Sequence, residues 1–205
     1  MRDLLVKCKR YGKFLCQFAV EKMRGLDFTL PAASEEIQNS REYNGYCKTP
    51  EKHMALILQS LRVPYAESSF LDIGCGKGAV LREASKVPFR RVAGIELDGE
   101  LTEIAWRNMK KLGLERVECI QGNAVTFERY GEFNVFFLFN PFSSAVLSQV
   151  LEKILQTLED SPREIYIIYH HPVHHHLLDV PGLHRESVLY DRLKNYETYI
   201  YTNRT

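Results

Sequence analysis

From Ser69 onward, short apolar runs rich in β-branched and aromatic residues alternate with amphipathic segments, and few folds accept such a pattern. The runs are "SFLDIG", "RRVAGIEL", "RVECIQG", "FNVFFLFN" and "EIYIIYHH". Helical repeats fall in "GAVLREASKV", "GELTEIAWRNMKKLG" and "SAVLSQVLEKILQTLED". Strands that are apolar on both faces belong in a parallel sheet covered by helices on each side. The tail "ESVLYDRLKNYETYIYTN" reads as two further strands turning at Lys194 and Asn195, an antiparallel edge. The expected fold is therefore α/β, a doubly wound, mostly parallel seven-stranded sheet. A ligand site is expected at the C-terminal ends of its strands.

Residues 1–66 read differently, as an N-terminal helical extension to a domain spanning 67–205. Leu4, Cys8, Tyr11, Leu15 and Phe18 recur at helical spacing. Seven Lys/Arg against Asp3 and Glu21 make residues 1–24 net +5. A helix packed on the main domain with its charges in water accounts for both features; an arm for an acidic substrate or anionic lipid is the alternative. In "YCKTPEKHMALILQSLRV", Thr49 suits an N-cap, Pro50 the first helical position and Glu51 the first turn. A helix over 50–61 follows, holding Tyr43 and Tyr46 near the mouth of the domain.

Charge and cysteine content narrow the class. Lys+Arg and Asp+Glu are 27 against 26, so no global field calls for nucleic acid or an anionic membrane. Five scattered cysteines form no CxxC pair or disulfide framework, as in a reducing, cytoplasmic protein. The opening "MRDLLVKCKRYGK" is too interrupted by Lys and Arg for a signal peptide or membrane span.

"FLDIGCGKG" ends the first strand. Gly74, Gly76 and Gly78 allow a sharp turn and close backbone approach to a ligand. With Ala79 they satisfy the loose GxGxxG/A dinucleotide pattern, and Glu96 lies 20 residues beyond Gly76, where a ribose-binding acid belongs. A nicotinamide-dependent oxidoreductase is thus one reading. Asp72 favours another, because a carboxylate beside the glycine turn repels a pyrophosphate and welcomes an ammonium and a sulfonium. S-adenosylmethionine carries both.

Over about residues 66–205 the sequence resembles the class I S-adenosylmethionine-dependent methyltransferases. "FLDIGCGKG" is similar to their first motif and "VAGIELD" to their second, which implies Glu96 on the ribose hydroxyls and Leu97 on the adenine. "QGNAVTF" resembles the third, implying Asn123 and Ala124 beside the adenine, with Asn123 where an acid is usual. Asn140-Pro141-Phe142 is similar to the Asp/Asn-Pro-Pro-Tyr/Phe motif of amino methyltransferases, one Pro shorter. That resemblance implies that Asn140 and the Pro141 carbonyl orient an amine and that Phe142 stacks on it. The same segments, with "YCKTP", also resemble small bacterial methyltransferase-domain proteins.

The acceptor stays open between a small-molecule and a protein amine, and nothing in the sequence signals an oligomeric state. Tyr43, Tyr46 and Thr49 are the extension residues expected near the substrate, with Tyr46 in contact. For a hydroxyl acceptor, His170, His171 or Tyr46 becomes the candidate base. "YHHPVHHH" invites a metal, but adjacent strand histidines point to opposite faces and no thiolate is near, so no metal is expected. A nucleotide-binding module without catalysis is the remaining alternative.

Overall fold

The computed structural model describes residues 2–204, and the side chains of all of these except 2–11, 13 and 36. Seven strands, β1 (Ser69–Ile73), β2 (Arg91–Glu96), β3 (Glu118–Gln121), β4 (Val135–Phe139), β5 (Tyr166–His170), β6 (His184–Asp191) and β7 (Tyr196–Thr202), form one sheet in the order β3-β2-β1-β4-β5-β7-β6. The first five run parallel, and β7 returns antiparallel between β5 and β6. The order reverses between β1 and β4, which is where a doubly wound sheet opens to a ligand.

The helices are α1 (Arg2–Met23), α2 (Glu35–Asn39), α3 (Glu51–Ser60), α4 (Ala79–Ala84), α5 (Gly99–Lys111) and α6 (Ser144–Asp160). β1, β4 and β5 send alternate side chains into two cores. Leu71, Phe136, Leu138 and Ile167 pack with Leu147, Val150 and Ile154 of α6. Phe70, Val135, Phe137 and Ile168 pack with Met54 and Ile57 of α3 and Leu81 of α4. Caps set the helix starts: Ser143 accepts from Val146 N at α6, and Asp98 Oδ1 accepts from Glu100 N and Leu101 N at α5.

The extension differs from expectation in two places. Pro50, not Thr49, is the N-cap of α3, because the Pro50 carbonyl already accepts the first helical bond from Met54 N. On α1, Leu4, Cys8 and Tyr11 of the expected stripe lie outside the described side chains, and Leu15 is 58% exposed. The end of α1 is anchored by polar contacts. Buried Glu21 accepts from Phe28 N, Thr29 N, Thr29 Oγ1 and Lys48 Nζ at 2.8–3.0 Å.

From there the chain runs across the top of the sheet. Asp27 pairs with Lys77 and donates its N–H to Asn108 Oδ1, Ser34 N donates to Asp98 Oδ2, and Tyr43 bridges Phe142. No described helix is long and apolar enough to cross a membrane.

Candidate active site

A cavity of ≈ 280 Å³ opens where β1, β2 and β4 end, roofed by residues 43–49 of the extension. Asp72, Gly74, Gly76, Glu96, Leu97 and Ala124 line it together with Asn140, Pro141 and Phe142. Residues far apart in the chain, picked out by type or through the resemblance, therefore line one cavity.

Asp72 ends up buried, 3% exposed, because it shares the Phe70 face of an interior strand. Burial, with the charge of Glu96 beside it, holds its carboxyl well above the usual carboxylate range. Glu96 is also raised by burial, and part of that cost is offset by bonds to backbone: Oε2 accepts from Gly76 N at 2.8 Å and Oε1 from Asp98 N at 3.0 Å. Glu96 therefore clasps the glycine loop and lines the cavity. Two buried acids, one without a described hydrogen-bond donor, fit a ligand that brings positive charge and hydroxyl groups.

The loop itself needs glycine. Gly76 has φ +51°, and a Cβ there would overlap the ring of Tyr46. Gly74 has φ +82°, and a Cβ would come within 2.8 Å of Pro141 Cβ. Gly78 stands apart from the cavity lining; it caps α4 in a left-handed conformation (φ 81°).

Asn123 is not among the cavity-lining residues; its Oδ1 accepts from Val125 N at 2.8 Å in a local turn. Short amide side chains readily bond their own backbone two residues on. Tyr46, expected at the substrate, lines the cavity against Gly76, and its hydroxyl donates to Phe28 O at 2.7 Å. Burial pushes its phenol well above the usual value, so it is no base at neutral pH.

At the end of β4, Asn140 has a left-handed backbone (φ 38°), and Oδ1 accepts from Tyr169 OH at 3.0 Å. Burial raises the Tyr169 phenol to about 12, so it remains a donor. Asn44 ties the extension to this turn: its N donates to Pro141 O at 2.9 Å and its Nδ2 to Asn140 O at 2.8 Å. Each carbonyl oxygen keeps a second lone pair. Phe142 is 5% exposed, meeting Tyr43 edge-on at 6.0 Å.

Nothing in the sequence marks Asn44, Phe139 or Tyr196, yet Asn44 holds the turn and the other two line the cavity. Tyr196 arrives only because β7 returns beside β5.

Of the histidines, His171 lines the cavity and His170 does not. His170 is fully buried between His53 and Phe139, bonded to Thr198 Oγ1, and burial lowers its pKa to about 3. Among the described residues no group of three or more His, Cys, Asp or Glu is placed to hold a metal.

The methyltransferase-domain family matches residues 70–161, which span the glycine loop, Glu96 and Asn140-Pro141-Phe142. The chain carries a class I methyltransferase domain. The cofactor of this family is S-adenosylmethionine, and the buried acids and the glycine turn fit it. The match leaves the nicotinamide reading without support.

The domain is 35% identical over 78 residues to the probable cobalt-precorrin-6B C(15)-methyltransferase (decarboxylating) of Sulfolobus acidocaldarius, covering 37% of this chain and 40% of that protein. It is 38% identical over 58 residues to the release factor glutamine methyltransferase of Vibrio cholerae, covering 28% and 20%. The matched part is thus less than half of either relative's length. An RNA methyltransferase from Salinibacter ruber, solved with S-adenosyl-L-homocysteine, shares the fold, with TM-score 0.56, 22% identity and coverage of 76% and 93%.

Tyr169→Phe is expected to release Asn140 Oδ1 at a cost of about 1 kcal/mol, lowering the melting temperature by about 3 °C. Affinity for S-adenosylhomocysteine stays within about twofold, since the cofactor end is untouched. Thermal unfolding and titration calorimetry check both.

Proposed function

We propose that the protein is an S-adenosylmethionine-dependent N-methyltransferase that holds an acceptor amine at Asn140. The observation that supports this reading is that Asn140 and Pro141, at the end of β4, line the same cavity as Asp72 and Glu96. In this arrangement Asp72 takes the ammonium of the cofactor, Glu96 the ribose hydroxyls, and Leu97 and Ala124 flank the adenine. When bound, the cofactor supplies an electrophilic methyl group on a good leaving group.

The chain's own residues then have to orient and exclude water. Asn140 Oδ1 and the Pro141 carbonyl each have a lone pair left to accept an amine hydrogen, which aims the nitrogen lone pair away from them. Phe142 and Tyr43 wall the acceptor end, and the segment before residue 67 caps it. The similarity to a methyltransferase named for a glutamine acceptor points the same way.

A small-molecule or protein amine suits a near-neutral chain, 27 Lys+Arg against 26 Asp+Glu, better than nucleic acid does. Free Cys16, Cys47, Cys75 and Cys119 suit a reducing cytoplasm.

The test is transfer of radiolabelled methyl from S-adenosylmethionine into size-fractionated extract of host cells lacking the gene. Label is expected on an amine or amide nitrogen, identified by mass spectrometry, and lost with Asn140→Ala. Label on carbon or oxygen overturns the amine reading. No transfer despite cofactor binding makes the protein a binding module.

A further inference from the structure

His171 follows β5 as Asn140 follows β4, and the two strands are parallel with Phe139 opposite His170. Neighbouring strands lie about 4.8 Å apart, so Asn140 and His171 leave the sheet side by side. Both are left-handed, with φ 38° and 53°. Among the described residues the only other non-glycine with positive φ is Asn195, in the β6–β7 turn.

A left-handed backbone is uncommon for any residue but glycine, and such conformations concentrate at functional sites. His171 N donates to Glu197 O at 2.8 Å, and the ring stacks on Tyr196 with centroids 4.0 Å apart and 29° between planes. The imidazole is half-buried and lines the cavity beside Asn140.

We propose that His171 accepts the proton an amine must lose when it is methylated at Asn140. The inference rests on the amine reading above. The nitrogen lone pair forms the new N–C bond while the C–S bond breaks, its electron pair remaining on sulfur. The nitrogen, now cationic, passes one proton to the neutral imidazole, which releases it to solvent at the cavity mouth.

The surroundings leave this task to His171. Tyr196 offers only a phenol from β7; His170 is buried and committed to Thr198. In the hairpin, Lys194 lies 3.4 Å from Cys47 Sγ of the extension. Asp72 and Glu96 serve the cofactor end. Burial keeps the His171 pKa below the usual histidine value, so the ring is neutral and able to accept at pH 7.

Sinefungin tests this without an identified acceptor, because it carries an amine where the methyl group of S-adenosylmethionine leaves. Its affinity relative to S-adenosylhomocysteine is measured by calorimetry from about pH 5 to about pH 8, the range in which histidine titrates. Both ligands share the amino-acid ammonium, so titration of Asp72 cancels in the ratio.

The wild type is expected to prefer sinefungin about tenfold at high pH and to lose that preference as His171 protonates and repels the ammonium. His171→Gly and His171→Asn both tolerate a left-handed backbone. The glycine variant should abolish most of the preference, and both should give a ratio independent of pH. Variants that keep the wild-type ratio and pH profile overturn the role of His171. If Asn140→Ala alone removes the preference, the amine site stands and His171 is excluded; if the wild type shows no preference, both readings fall together.

Discussion

Asp72→Asn is expected to weaken S-adenosylmethionine binding about a hundredfold, about 2.8 kcal/mol, while stabilising the ligand-free protein at higher pH. The carboxyl is 3% exposed, with Glu96 as its charged neighbour and no described donor. Its folded pKa is raised above the unfolded value, so its contribution favours the folded state at low pH. That contribution is lost as pH rises from the ordinary carboxylate range through the raised value. Ligand-free wild type therefore loses stability over that window, and Asp72→Asn does not.

A bound ammonium reverses the balance by stabilising the anion, so affinity increases with pH across the same window and binding releases a proton. Calorimetry in two buffers of different ionisation enthalpy measures that proton. Affinity of Asp72→Asn within threefold of wild type, or binding with no proton release, removes Asp72 from the cofactor site.

The second large effect is expected at Gly76. An alanine there must adopt φ +51°, costing about 1–2 kcal/mol, and its Cβ meets the Tyr46 ring. The ring cannot simply swing away, because its hydroxyl is bonded to Phe28 O. Overpacking adds about 1–3 kcal/mol. Gly76→Ala should lower the melting temperature by roughly 9 °C and weaken S-adenosylhomocysteine binding at least tenfold. Combining it with Tyr46→Ala removes the collision but leaves the backbone cost, so stability should be less than additive in loss. A fully additive double variant means that the ring does not cover the loop.

Several elements were legible in the chain itself. β1, β4 and β5 are buried almost throughout, and that burial on both faces is what makes their sequences continuously apolar. α6 runs Ser144–Asp160 as its periodicity implies, because Ser143 caps it and its apolar face is long. Asp72, Gly74, Gly76, Glu96 and Asn140-Pro141 were legible as cavity-lining positions because they stand at or near the C-terminal ends of interior strands. Thr49 was misplaced as the cap for a local reason, since the Pro50 carbonyl takes the first helical bond, and Asn123 turns its Oδ1 to Val125 N.

By itself, then, the sequence determined the sheet, its parallel centre and the glycine turn after β1, where spacing along single strands and turns suffices. The cavity wall around Asn140 was decided only by tertiary structure. Asn44, Tyr169, His171 and Tyr196 come from the extension, β5 and β7, and their hydrogen bonds and stacking join residues that no periodicity brings together. Strand period reports which face a residue takes, but what it meets across the cavity depends on how distant segments close over the sheet.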